Sequence, residues 1–234
     1  MKIALLGYGK MGKTIERIAL ERGHEIILKI GANIEDHDLT RADVAIDFSI
    51  PDAALENIIT CCKNKIPVIS GTTGWLQDYP KAVKACEDHE SAFLYASNFS
   101  IGVNLFFELN RKLASLMEPF KEYSVAIEEI HHTQKLDSPS GTAISLAEQI
   151  IANSSLEGWD LNEAKENHIP ITAKRINEVP GTHTVSYTSK ADTIEIKHTA
   201  HSREGFALGA VIAAEWLSGK TGVFSMKDVL SGLK

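Results

Sequence analysis

The chain has 234 residues, enough for one large domain or two modest ones, and its 44% hydrophobic content supplies a globular core. Against 24 basic residues stand 31 acidic ones, a net charge of −7 without any basic block, which argues against a nucleic-acid surface and for anion sites that are local. No apolar run reaches transmembrane length and the run at 3–6 is too short for a signal core, so a cytoplasmic location away from membranes is expected. Cys61, Cys62 and Cys86 have neither zinc-ligand nor CxxC spacing, so they predict reduced thiols and no metal site.

Residues 2–6 are a brief apolar run that reads as a buried strand. It leads into Gly7-Tyr8-Gly9-Lys10-Met11-Gly12, a GxGxxG, after which Met11, Ile15, Ile18 and Ala19 share one helical face and Gly23 stands where a terminating glycine belongs. Residues 25–30 read as a second strand. This order seats a dinucleotide: the first glycine permits a tight turn, the second lets a pyrophosphate approach, and the third brings helix and strand together. A tight turn without a cofactor is the plainer alternative. A site preferring NAD carries an acid at the end of strand two. Gly31 holds that place here, within Lys29-Ile30-Gly31-Ala32-Asn33, and Glu35 and Asp36 come late. Lys29 either faces a 2′-phosphate or is a solvated strand residue, so NADPH, NADH or both stay open.

Further on, 44–48 reads as a strand, and Pro51 begins a helix with Ala54, Leu55, Ile58, Ile59 and Cys62 as its apolar face. A strand over 67–70, a helix over 80–90 and a strand over 92–96 follow. Such alternation implies a mainly parallel sheet with ligands at the strands' carboxyl ends, where Phe48-Ser49, Gly71-Thr72-Thr73 and Ser97-Asn98-Phe99 fall. After Ser100 the texture changes. Residues 102–117 form one long helical pattern, and the stretch from 154 to about 167 is polar. Strand-like runs at 182–188 and 193–200 then come without a helix between them, which suggests a second, antiparallel region. The pattern returns to helix over 207–217, and the tail 223–230 is short and amphipathic.

Between these regions lies IEEIHHTQKLDSPSGTA, residues 127–143. A strand brings His131, His132 and Lys135 to a loop that ends at Ser140-Gly141-Thr142, where a helix with Ala143, Ile144, Leu146, Ala147, Ile150 and Ile151 begins. Proton donors beside an anion-binding helix start can hold a carboxylate and protonate it. The residues alone equally allow a solvated His pair and an ordinary helix cap.

This stretch resembles the signature of the 4-hydroxy-tetrahydrodipicolinate reductases, and the likeness extends to GYGKMG, VAIDFS, GTTG, SNFSIGVN and the closing GAVIAAEWLSGKTGVFSMKDVL. It is weakest over 151–179, where the chain looks abbreviated. The resemblance implies a Rossmann-like α/β nucleotide domain, 1–100 completed by 207–234, and an α+β substrate and oligomerisation domain, 101–206, with a mostly antiparallel sheet. It implies NADPH or NADH as cofactor, a cyclic dicarboxylate substrate and a homotetramer built through the second sheet. It places cofactor contacts at Gly7 to Gly12, at Gly71, Thr72 and Thr73, and at Ala96, Ser97, Asn98 and Phe99. His131 becomes the general acid with Lys135 assisting, while His132, Ser140, Gly141 and Thr142 bind a carboxylate. His183, His198, His201 and Arg203 read as exposed strand-end residues. Two alternatives are another two-domain NAD(P)-dependent dehydrogenase, which would lack the His-His-Lys and Ser-Gly-Thr cluster, and a redox sensor, which would need a DNA-binding element.

Overall fold

The computed structural model describes residues 1–31 and 38–232. The chain forms two compact units, one of Met1–Ile101 with Glu204–Lys234 and one of Gly102–Arg203.

The first unit is built on six parallel strands: β1 (Lys2–Leu6), β2 (Glu25–Ile30), β3 (Val44–Asp47), β4 (Val68–Ser70), β5 (Ala92–Tyr95) and β11 (Gly222–Phe224). Their order is β11-β5-β4-β3-β1-β2. A parallel sheet buries both faces, and β1 shows how the sequence meets that demand. Ile3 and Leu5 enter one core cluster, with α1 (Lys10–Glu21) and α6 (Glu204–Leu217), and Ala4 and Leu6 enter the other, with α2 (Pro51–Lys63) and α3 (Tyr79–Asp88). The predicted stripe on α2 is turned slightly: Ala53, Asn57 and Cys61 are buried along with Ala54, Ile58 and Cys62, while Leu55 and Ile59 are only half-buried. The rotation follows from Asn57, whose amide is drawn in to Asp47 at 3.1 Å. The three thiols are free and buried. The amphipathic tail resolves into two elements, β11 beside β5 and a short helix α7 (Met226–Gly232).

In the second unit a five-stranded sheet runs β10 (Thr193–Ala200), β9 (Gly181–Thr188), β6 (Ser124–His131), β8 (His168–Arg175), β7 (Gly158–Leu161). The expected antiparallel pairing forms the longer ladders of this sheet, and two parallel strands extend it. β10, β9 and β6 pair antiparallel, but β8 and β7 join parallel to β6, so the sheet is mixed. The parallel half comes from 151–179, the region of weakest likeness, where β8 alternates around a proline and β7 is only four residues long. Helices α4 (Ile101–Met117) and α5 (Gly141–Ile151) cover one face through Phe106, Ala114, Leu146, Ile150, Ile171 and Val185. Among the described residues, no helix is long and apolar enough to cross a membrane.

Candidate active site

The turn after β1 gives each of its three glycines a separate task. Gly7 has φ of +92°, and a Cβ there would stand 2.1 Å from the carbonyl oxygen of Phe48; one at Gly12 would stand 2.3 Å from that of Gly7. Neither position admits a side chain. A Cβ at Gly9 would meet nothing within 4 Å, so the middle glycine presents open backbone at the start of α1, which has no side-chain cap. Uncovered amides at a helix N-terminus are what a diphosphate needs, and the exposed Lys10 begins that helix. Tyr8 and Lys29 both bond Glu16, Lys29 at 2.8 Å, so Lys29 is committed to α1. Gly31 is exposed with no neighbour where a Cβ would stand; Ala32, Asn33, Glu35 and Asp36 lie outside the described residues.

The neighbouring strand ends are organised by a residue that the sequence reading passed over. Asp47, fully buried at the end of β3, accepts hydrogen bonds from Ser49 Oγ at 2.6 Å, Ser70 Oγ at 2.7 Å and Thr72 Oγ1 at 2.8 Å. Burial pushes its carboxyl up, against these bonds, which favour the charge. Thr72 is therefore a buried brace, while Thr73 is exposed and Gly71 lies under the Phe48 ring. Phe99 likewise has its side chain in the core, 5.6 Å from Phe48 between ring centres. Ala96 and Asn98 are half-buried and Ser97 is exposed. The glycine loop, Gly71–Thr73 and 96–99 thus fall at the carboxyl ends of β1, β4 and β5, in the same sheet.

Strand register assembles the second site. Glu129 and His131, two apart on β6, share a face. His183 of β9 stands directly opposite Glu129, and Arg175 of β8 stands beside His131. His183 is correspondingly buried, not an exposed strand end, and its ring meets that of His131 edge-on with centres 5.0 Å apart. Glu129 is the hub. Both its oxygens accept the Ser140 amide at 3.1 Å, Oε1 also accepts Arg175 Nη2 at 3.1 Å, and Oε2 lies 3.5 Å from His131 Nδ1 and 3.6 Å from His183 Nε2. Burial pushes the Glu129 carboxyl up, but His183, the Ser140 donors and the charge of His131 together bring it down to about 2. For His131 burial dominates in the other direction: with His183, Lys135 and Arg175 opposing a further positive charge, its imidazole falls to about 4. Glu129, His131 and His183 offer ligand-type atoms within 4.8 Å of one another, yet Arg175 and the Ser140 amide already balance the carboxylate, which weakens its case as a cation ligand.

The loop from His132 returns to set Ser140 as N-cap of α5. Its Oγ accepts from the Ala143 amide at 3.2 Å and lies 3.1 Å from His183 Nε2. The amides of Gly141 and Thr142 have no acceptor within their own helix, and a Cβ at Gly141 would meet nothing within 4 Å. Here too a glycine keeps a helix start open. Lys135 bonds Asp137 at 2.7 and 2.8 Å, and Arg175 donates to the Asp137 carbonyl at 2.6 Å, fastening the loop. His132 is half-buried, its Nδ1 without a hydrogen-bond partner among the described residues; it lines a cavity of about 390 Å³ with Thr133, Gln134, Asn177, Pro180 and Arg203. Arg203 and His201 are exposed as expected, whereas His198 is half-buried against Phe106.

A dinucleotide loop and an imidazole cluster beside an open helix start, carried by one chain, define a nicotinamide-dependent oxidoreductase. The family model for the N-terminus of dihydrodipicolinate reductase matches residues 25–99, and that for its C-terminus matches residues 102–230. The chain belongs to the dihydrodipicolinate reductase family. A 4-hydroxy-tetrahydrodipicolinate reductase of Christiangramia forsetii is 65% identical to it over 236 residues, covering 100% of this chain and 99% of its own. One from Neisseria gonorrhoeae is 36% identical over 92% of this chain and 83% of its own. Among solved structures, a dipicolinate-bound dihydrodipicolinate reductase from Paenisporosarcina sp. TG-14 has the same fold, with a TM-score of 0.79 over 96% of this chain and 97% of its own at 22% identity.

Proposed function

We propose that the chain reduces 4-hydroxy-tetrahydrodipicolinate to tetrahydrodipicolinate with NADPH or NADH, in the lysine and diaminopimelate pathway. The observation that carries the reading is Glu129, which joins His131 to the Ser140 cap that precedes the open amides of Gly141 and Thr142, inside a chain 65% identical to a reductase of that name. A homotetramer in the cytoplasm is the assembly and location expected of it.

The substrate's 4-hydroxyl leaves as water, and to the unsaturated ring that results the bound coenzyme would supply a hydride, while the chain must supply a proton and hold the anionic ring. Gly141 and Thr142 amides receive one carboxylate, with Ser140 holding the turn and His132 adding a donor. Lys135, paired with Asp137, stands ready to exchange that partner for the substrate. His131 gives the proton. Its imidazole, held at about 4, is neutral at pH 7. A dicarboxylate arriving nearby favours the charged form, so substrate binding itself charges the acid.

The test is oxidation of NADH and of NADPH with enzymatically generated 4-hydroxy-tetrahydrodipicolinate. Substrate-dependent oxidation, competitively inhibited by dipicolinate, is expected. Oxidation that ignores this substrate but responds to an amino acid would favour a dehydrogenase of another kind.

A further inference from the structure

We propose that Glu129 is the positioning residue for His131: it keeps the Nδ1–H of the imidazole turned inward, so that Nε2 is the atom that hands over the proton. The inference rests on His131 being the acid and adds which atom acts and what aims it.

Three observations converge. Nδ1 is buried and has no closer partner among the described residues than Glu129 Oε2, at 3.5 Å. On the opposite edge of the ring, a Cβ at position 181 would stand 3.1 Å from Nε2 and 3.3 Å from Cδ2, so glycine there leaves that edge uncrowded. Glu129 itself is held still, by the Ser140 amide on both oxygens and by Arg175. The same carboxylate thereby joins the proton donor to the N-cap of the carboxylate-binding helix.

Charge supports the assignment. His131 faces Glu129 on its own strand, His183 on β9, Arg175 on β8, and, on the loop, Lys135, whose ammonium is paired with Asp137. Asp137 is taken up by Lys135, so Glu129 is the anion that favours the imidazolium. In the cycle, imidazolium Nε2–H transfers its proton to the substrate carbon, and the N–H bond breaks as the C–H bond forms. The neutral ring keeps its proton on Nδ1, facing Glu129, and Nε2 takes a new proton from water before the next turnover.

The direct test is ¹⁵N NMR of the full-length protein with labelled histidine, the His131 signals being assigned by their loss in His131→Gln. At pH 7 the Nδ1–H tautomer is expected. Glu129→Gln should lower the titration of His131 by about one pH unit or more. It should also reduce kcat roughly 10–100-fold and move its alkaline limb to lower pH, with a smaller change in dipicolinate affinity. Glu129→Asp, which keeps the charge, should recover part of kcat. An Nε2–H tautomer in the wild type overturns the proposal without recourse to any variant. So does a Glu129→Gln enzyme that loses dipicolinate affinity and kcat together while His131 titrates unchanged, because Glu129 would then merely brace the helix. If His131→Gln retains kcat, the acid assignment falls and this proposal with it. If His131→Gln loses kcat while Glu129→Gln leaves tautomer and titration unmoved, only the role of Glu129 falls.

Discussion

The starts of α1 and α5 solve one problem in two ways. Both present open backbone amides at a glycine, Gly9 and Gly141, beside which a Cβ would meet nothing. The α1 start has no side-chain cap and an exposed lysine, so its first turn is free to wrap a diphosphate. The α5 start is capped by Ser140, and the amide of that serine is consumed by a buried carboxylate. Only the next two amides remain for a ligand, enough for a single carboxylate. Anion binding at a helix N-terminus is therefore generic, and what stands behind the first amide decides which anion fits. Behind α1 stands the backbone of the β1 turn, packed on that of Phe48; behind α5 stands a polar hub that also holds His131.

The sharpest way to separate the two sites is to remove the chemistry and leave the anchors. His131→Gln should lower kcat by roughly 10²–10⁴-fold with a much smaller change in KM. An unchanged kcat when chemistry limits the rate would pass the role to Lys135. Next, Gly9→Val should weaken NADPH binding at least about tenfold, some 1.4 kcal/mol, while dipicolinate binding persists. Coenzyme affinity that survives the change would mean the diphosphate lies elsewhere.

The polar hub should also make the second site the acid-sensitive one. His131 sits below its ordinary 6.5, so its neutral form is favoured by folding; that stability is intact above pH 6.5 and is lost as pH falls towards about 4. Glu129, held near 2 instead of 4.5, adds a loss with the same sign at still lower pH. Urea unfolding should show a decline of about 3 kcal/mol between pH 7 and pH 4 from His131. His131→Gln should flatten that decline. Calorimetry of dipicolinate binding in buffers of different ionisation enthalpy should show proton uptake near pH 7 in the wild type and less in the variant. The smallest effect concerns coenzyme choice. Gly31→Asp should shift preference towards NADH by repelling a 2′-phosphate, read from steady-state kinetics with each coenzyme.

The first unit was largely legible because glycines and parallel strands leave signatures of kind and spacing. GYGKMG predicts its own turn, and β1 and β2 fall where the apolar runs do. The second unit was legible only where residues act locally. Ser140 and Gly141 could be read as a cap, but Glu129 and His183 are 54 residues apart and meet only through the register of β6 and β9. No local pattern reports that pairing. Nor could Asp47 be told from an ordinary strand-end acid, since its partners come from 49, 57, 70 and 72. β8 was hidden by its proline and β7 by its shortness.

The division of labour between the two helix starts is tested most directly by titrating Gly141→Val with NADPH and with dipicolinate, following coenzyme fluorescence. A branched side chain at 141 fills the space the carboxylate needs, so dipicolinate binding should be lost while NADPH affinity stays at the wild-type value. Full dipicolinate affinity in this variant would contradict the account, since the carboxylate would then bind elsewhere and Ser140-Gly141-Thr142 would be a helix cap and nothing more.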